Sequence, residues 1–212
     1  MKHILLLAYA VSPIRGSEYS VSWNHLLKLS KYYKFTVLYG LAGDFIGDFS
    51  ELDPSQGKYL DNVNFIKIKP NLYTRLWDFP NKHGFATFLF YVGYKNWHKQ
   101  AYKYAEDIIK KENIDLIHYI CPIGYREPGY MWKFDKPYIW GPIGGITNFQ
   151  KPFFQNKDLK TKLKFFTRNI FNYLQFNFNY RLNKAVKNTN ILLASTEEQK
   201  KILDKKFSRK TI

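Results

Sequence analysis

Three short stretches of this 212-residue chain carry residue types suited to handling anions and hydroxyl groups. In the first, Arg15-Gly16-Ser17-Glu18, a glycine stands at the mouth of a helix. There the free backbone N–H groups and the helix dipole hold an anion without needing a charged side chain. An ordinary turn also accounts for Gly16, with Arg15 and Glu18 as its solvated ends. The stretch is neither G-x-G-x-x-G nor a P-loop. In the second, His118 interrupts the apolar run Leu116-Ile117-His118-Tyr119-Ile120. Strand alternation turns it to the face opposite Ile117, where a neutral imidazole exchanges hydrogen bonds with a sugar hydroxyl or serves as a structural histidine. The third, Gly141-Pro142-Ile143-Gly144-Gly145, offers three glycines. They permit positive φ and close approach of backbone to a ligand, and a plain turn explains one glycine better than three.

The same inventory limits other chemistry. Cys121 is the single cysteine, so neither an internal disulfide nor a zinc site with two thiolates is available. Glu18 and Glu127, the carboxylates near these stretches, do not make the paired cluster that a divalent cation takes, and no metal is expected.

The elements that must position these residues alternate between strand and helix. Strand-length apolar runs fall at residues 3–9, 35–39, 63–68, 114–120, 136–140 and 190–194. Helix-length material lies between them: residues 17–33 with Ser17 as N-cap and Glu18 in the first turn, a long aromatic stretch over 72–113 broken at Pro80 and Gly84, and a last helix over 196–207. Residues 125–134 read as a short helix or turn, and the Gly- and acid-rich residues 40–61 as a surface loop. Residues 157–187 read as one amphipathic helix whose stripe of Leu159, Leu163, Phe166, Ile170, Leu174, Phe178 and Leu182 packs on the sheet. This alternation predicts an α/β fold, a doubly wound and mainly parallel sheet with helices on both faces. Ligands of such sheets sit beyond the carboxyl ends of the strands, where residues 10–18, 118–126 and 141–148 fall.

Composition narrows the function classes. With 45% hydrophobic and 19% aromatic residues, the chain has ample material for a core and is not a disordered polymer. Met1-Lys2, the run Ile4 to Leu7 and Ala8-Tyr9-Ala10 have the outline of a short signal peptide, but a buried parallel strand reads the same way and suits a cytoplasmic protein. The net charge of +16 is concentrated in residues 151–212, which hold 15 basic and 4 acidic side chains. Such a surface attracts phosphates of nucleotides, nucleic acid or lipid. One surface of that kind is formed by Phe165, Tyr173, Phe176 and Tyr180, off the stripe's centre and flanked by Lys160, Lys162, Lys164, Arg168, Arg181 and Lys184. An interfacial helix presents this pattern to anionic lipid, giving peripheral attachment at the inner face of the membrane through residues 157–187. A basic nucleic-acid-binding module is a competing reading, although no nucleic-acid motif is present and none is expected as a partner. A non-catalytic Rossmann-like binding domain is another.

Taken together, three stretches resemble the N-terminal half of the retaining glycosyltransferases of family 4, which have the GT-B fold. They are Ala8 to Glu18 with Trp23-Asn24, Asp115 to Gly129 with His118 and Arg126-Glu127-Pro128-Gly129, and Pro137 to Gly145. The resemblance implies a single Rossmann-like, acceptor-side domain over residues 1–212. Its donor-binding partner domain lies outside this chain, so the fragment alone is expected to be inactive. It implies transfer of a sugar from a nucleotide-sugar, a substrate rather than a cofactor, to a glycan or lipid-linked acceptor in cell-surface polysaccharide synthesis. Carried over by position, Gly16 and Ser17 bind the donor phosphates, and His118, the catalytic candidate, contacts the sugar or orients the acceptor. Arg15, Glu18, Arg126, Gly141, Gly144 and Gly145 touch acceptor or sugar. The chain departs from the family's pattern at Ile120, where many relatives have a second histidine, and at Ile146-Thr147, where many have glycine and glutamate.

Overall fold

The computed structural model describes residues 1–13, 16–40, 60–86, 89–209 and 211–212. Six strands form one parallel sheet: β1 (His3–Ala8), β2 (Lys34–Gly40), β3 (Val63–Ile68), β4 (Leu116–Cys121), β5 (Tyr138–Ile143) and β6 (Ile191–Ala194), in the order β3-β2-β1-β4-β5-β6. Among the described residues the α-helices are α1 (Glu18–Leu29), α2 (Leu72–Lys82), α3 (Phe90–Lys111), α4 (Leu159–Phe178), α5 (Tyr180–Lys187) and α6 (Glu197–Phe207). The predicted doubly wound α/β fold is the observed one. Most of the surface loop read at residues 40–61 lies outside the described residues.

β1 occupies the centre because every one of its residues is apolar or, like His3, has a buried partner: His3 Nε2 lies 2.9 Å from Thr36 Oγ1. A strand buried on both faces needs this unbroken run. Its alternation separates two half-cores. On one face α3 buries Tyr94, Trp97, His98, Ala101, Ala105 and Ile108, spaced by three or four. Trp97 donates its indole N–H to the Ile68 carbonyl at 3.2 Å. On the other face α1 sets His25 against His118, ring centroids 5.0 Å apart.

The structure corrects three expectations. Strand five does not stop at Trp140 but runs on through Gly141 and Pro142 to Ile143. Proline has no N–H to give, and the pairing with β6 slips between Trp140 and Ile143, a bulge that carries the strand past it. The helix read over 157–187 is two helices. Asn179 ends α4 and caps α5, its side chain accepting from Leu182 N at 3.2 Å. The third correction concerns the apolar stripe, which does not pack on the sheet. Leu159 is 82% exposed, Leu163 60%, Phe166 59% and Phe178 71%, and only Leu182 of the stripe is buried. The inward face of α4 is Asn172 and Phe176 instead. Of the aromatics read as an exposed set, Phe176 is buried and Phe165 packs on Phe149 and Phe154. Tyr173 and Tyr180 are exposed.

Candidate functional site

The strand order reverses at β1, whose neighbours β2 and β4 are reached by crossovers on opposite sides. The segments leaving β1 and β4 therefore diverge and open a crevice at the carboxyl edge. Two local ties hold its walls together. Glu18 Oε1 accepts the N–H of Ile123 at 3.0 Å, joining the mouth of α1 to the turn after β4. Gly144 pairs with that same turn, its N–H donating to the Ile123 carbonyl at 2.6 Å and its carbonyl accepting from Tyr125 N at 3.4 Å. The three stretches singled out in the sequence thus meet, apart from Arg15, which lies outside the described residues.

Their residues divide into scaffold and open surface. Gly16 is exposed, and a methyl added there would meet nothing within 4 Å among the described residues. Ser17 occupies the N-cap position with φ 60°, yet its hydroxyl caps nothing, correcting the capping expectation. The unusual φ turns its backbone, and its carbonyl takes the hydroxyl of Ser20 at 2.8 Å. Glu18 is spoken for by Ile123 rather than being a solvated end. Gly141 lies inside β5 at φ 131°, and a methyl there would come 2.3 Å from the Leu193 carbonyl oxygen, so this glycine is required by packing. Gly144 is buried against Ser195 and Ile123. Gly145 alone of the three is exposed, at φ 75°, and a methyl on it would sit 3.9 Å from Arg126 Nη1.

Arg126 is held by α4. Its Nε donates to Gln175 Oε1 at 2.9 Å and its Nη2 to Asn172 Oδ1 at 2.8 Å, with the guanidinium 5.0 Å above the Tyr125 ring. This leaves Nη1 turned to the Gly145 side. Arg168 stacks on Phe149 at 4.1 Å. Burial, then the Arg126 charge, push the Arg168 guanidinium below its usual pKa. Two cations that repel each other beside exposed backbone are an arrangement that an anion relieves.

His118 sits in the middle of β4, on the α1 face, and its Nε2 lies 3.0 Å from the Gly141 carbonyl oxygen. A carbonyl only accepts, so Nε2 carries the hydrogen and Nδ1 is left as an acceptor. Burial, reinforced by His25 and opposed by the Gly141 bond, lowers its pKa to about 3. The ring is neutral at physiological pH and is not a cation for a leaving group. It lines a cleft between α1 and β5 with Asn24, His25, Ile120 and Pro142.

Sequence reasoning missed the residues that brace this edge. Asn172 is 2% exposed and has four partners. It donates to the Ile146 carbonyl at 2.7 Å and Asn148 Oδ1 at 2.9 Å, and it accepts from Tyr125 OH at 2.7 Å as well as from Arg126. Glu127, also buried, forms a two-pronged ion pair with Arg181, which additionally donates to the Gly129 carbonyl at 3.1 Å and stacks 4.4 Å from Tyr130. Arg181 is therefore no part of a free cationic surface. The signal for Asn172 was present: Asn169, Asn172 and Phe176 step by three and four along α4, a row with its own period beside the apolar one. Cys121 is buried with its thiol pushed up to about 12, which keeps it protonated and unreactive.

Among the described residues no three His, Cys, Asp or Glu side chains gather around a common point, and no helix is long and apolar enough to cross a membrane. Neither a model of a known protein family nor a curated protein matches the chain.

Proposed function

We propose that this chain is the acceptor-side, Rossmann-like domain of a retaining glycosyltransferase that moves a sugar from a nucleotide-sugar to a glycan or lipid-linked acceptor. The observation that carries the reading is the meeting, at the crevice where strand order reverses, of the open Gly16 backbone, the Gly144-Gly145 turn and Arg126. In this reading the N–H groups at Gly16 and Ser17 face the donor diphosphate, and Arg126 with Gly145 faces the acceptor. Retaining transfer asks the protein for positioning and for stabilisation of leaving-group charge, and these are services that backbone N–H groups and a guanidinium supply. His118 serves as a neutral hydrogen-bond partner that fixes the Gly141 strand and borders the sugar's cleft. The nucleotide and most of its affinity belong to a second Rossmann-like domain.

The test is a titration of the chain with UDP-, GDP- and ADP-sugars, followed by amide chemical shifts and by a transfer assay. The expected result is weak binding, shifts confined to residues 16–18, 123–126 and 144–146, and no turnover. Turnover by these 212 residues alone, or shifts confined to another face, overturns the reading.

A further inference from the structure

Two helices at the carboxyl edge are turned inside out. In α4 the polar Asn172 faces the domain while Leu159, Leu163, Phe166, Ile170 and Leu174 face solvent. Among the described side chains of α2, Thr74 is the buried one. Its hydroxyl takes hydrogen bonds from Asn96 at 2.8 Å and Gln100 at 3.3 Å, while Leu72, Leu76 and Phe79 are 72%, 64% and 60% exposed. Both helices leave the carboxyl ends of parallel strands, β3 and β5, so they lie at the same edge of the sheet. Exposed apolar surface of this kind along a whole helix face marks something that binds there.

The charge around it identifies the occupant. From Lys136 to Thr196 the chain has ten Lys and Arg and a single carboxylate, Asp158. That carboxylate is engaged in capping α4, accepting from Thr161 N at 3.0 Å. Lys151 and Lys162 line the groove together with Phe149, Leu163 and Ile170, and Lys160 and Lys164 stand on the same helix. A second copy of this face would bring like charges together. An anionic bilayer meets both features, its headgroups taking the lysines and its acyl boundary taking the stripe. At 20 residues α4 is about 30 Å long, enough to lie along the interface, and it is too polar to span it.

We infer that the outward face of α4 docks on an anionic membrane and holds the crevice at the lipid surface. The acceptor is then one presented by that membrane, a refinement that rests on the transferase reading above, whereas the docking itself does not.

Flotation with vesicles tests it, using phosphatidylcholine alone and phosphatidylcholine with one third phosphatidylglycerol. The full chain should float with the anionic vesicles at low salt, at least ten times more than with neutral ones, and be released as salt rises. Leu163→Glu with Ile170→Glu should cut flotation tenfold or more, and so should Lys160, Lys162 and Lys164→Glu. All five residues are exposed or half-buried, so unchanged circular dichroism separates lost docking from lost fold. Inorganic phosphate at matched ionic strength should compete no better than chloride. A chain left in the supernatant with anionic vesicles at low salt overturns the inference. So does flotation indifferent to Leu163→Glu and Ile170→Glu, or a dimer that the same pair disperses. Because the readout involves no sugar transfer, docking fails or stands independently of the enzymatic reading.

Discussion

Truncating Asn172 to alanine tests whether one buried amide braces the candidate site. The side chain has four partners, but they do not lose equally. Tyr125 OH keeps a second acceptor, the carbonyl of residue 172 at 3.1 Å. Arg126 keeps Gln175, and the exposed Asn148 turns to water. The carbonyl of the buried Ile146 loses the amide and gains nothing, at about 1–3 kcal/mol, and the move of the tyrosine hydroxyl to its longer bond adds about 0.5 kcal/mol. Alanine returns about 0.5 kcal/mol of helix propensity. The net expectation is a loss of about 1–3 kcal/mol, which for a chain of this size lowers Tm by roughly 2–12 °C. Urea unfolding and calorimetry measure both. Asn177→Ala on the same helix, which gives up only an exposed bond to the Tyr173 carbonyl, should cost less than about 0.5 kcal/mol. A loss under about 1 kcal/mol for Asn172→Ala, or equal losses for the two variants, refutes the bracing role.

The glycines of the site should separate by the same logic. Gly141→Ala forces a methyl against the Leu193 carbonyl at a φ that L residues avoid and should cost about 3–5 kcal/mol, seen as insoluble or unfolded protein. Gly16→Val should leave the urea midpoint unchanged and abolish nucleotide-sugar shifts; binding that survives it removes Gly16 from the site. For His118 the folded pKa of about 3 lies below the unfolded value near 6.5, so only the unfolded chain takes up this proton between them. Stability from this residue is whole above pH 6.5 and falls by about 1.4 kcal/mol for each unit below it, down to about pH 3. His118→Gln should flatten the urea midpoint between pH 7 and pH 5 relative to the parent chain, and an unchanged pH slope contradicts the burial argument.

Much of the architecture was legible because a parallel sheet writes itself as unbroken apolar runs. β3 was read at its observed bounds, and the other five strands were found within a few residues. The fifth strand was cut short because Gly-Pro reads locally as a turn, while pairing with β6 keeps it extended. Periodicity revealed the α4 helix but assigned its apolar stripe to the wrong neighbour. A period says that a face is apolar and is silent on what meets it, and here the domain meets Asn172. Arg181, read as one of several surface cations, required knowledge that Glu127, 54 residues earlier, would be buried beside it.

The bond from Glu18 to Ile123 closes a loop of 105 residues of chain with a single side chain, and the Gly124–Gly144 bridge extends that closure to the next crossover. The entropy of bringing distant segments together has thus already been spent when a ligand arrives. Motion at this edge is correspondingly shared: the start of α1 separates from the turn after β4 only by leaving a carboxylate and an amide unmatched. Amide exchange at Ile123 and Gly144 would then report one opening event, and an anion bound on either wall would slow it for both.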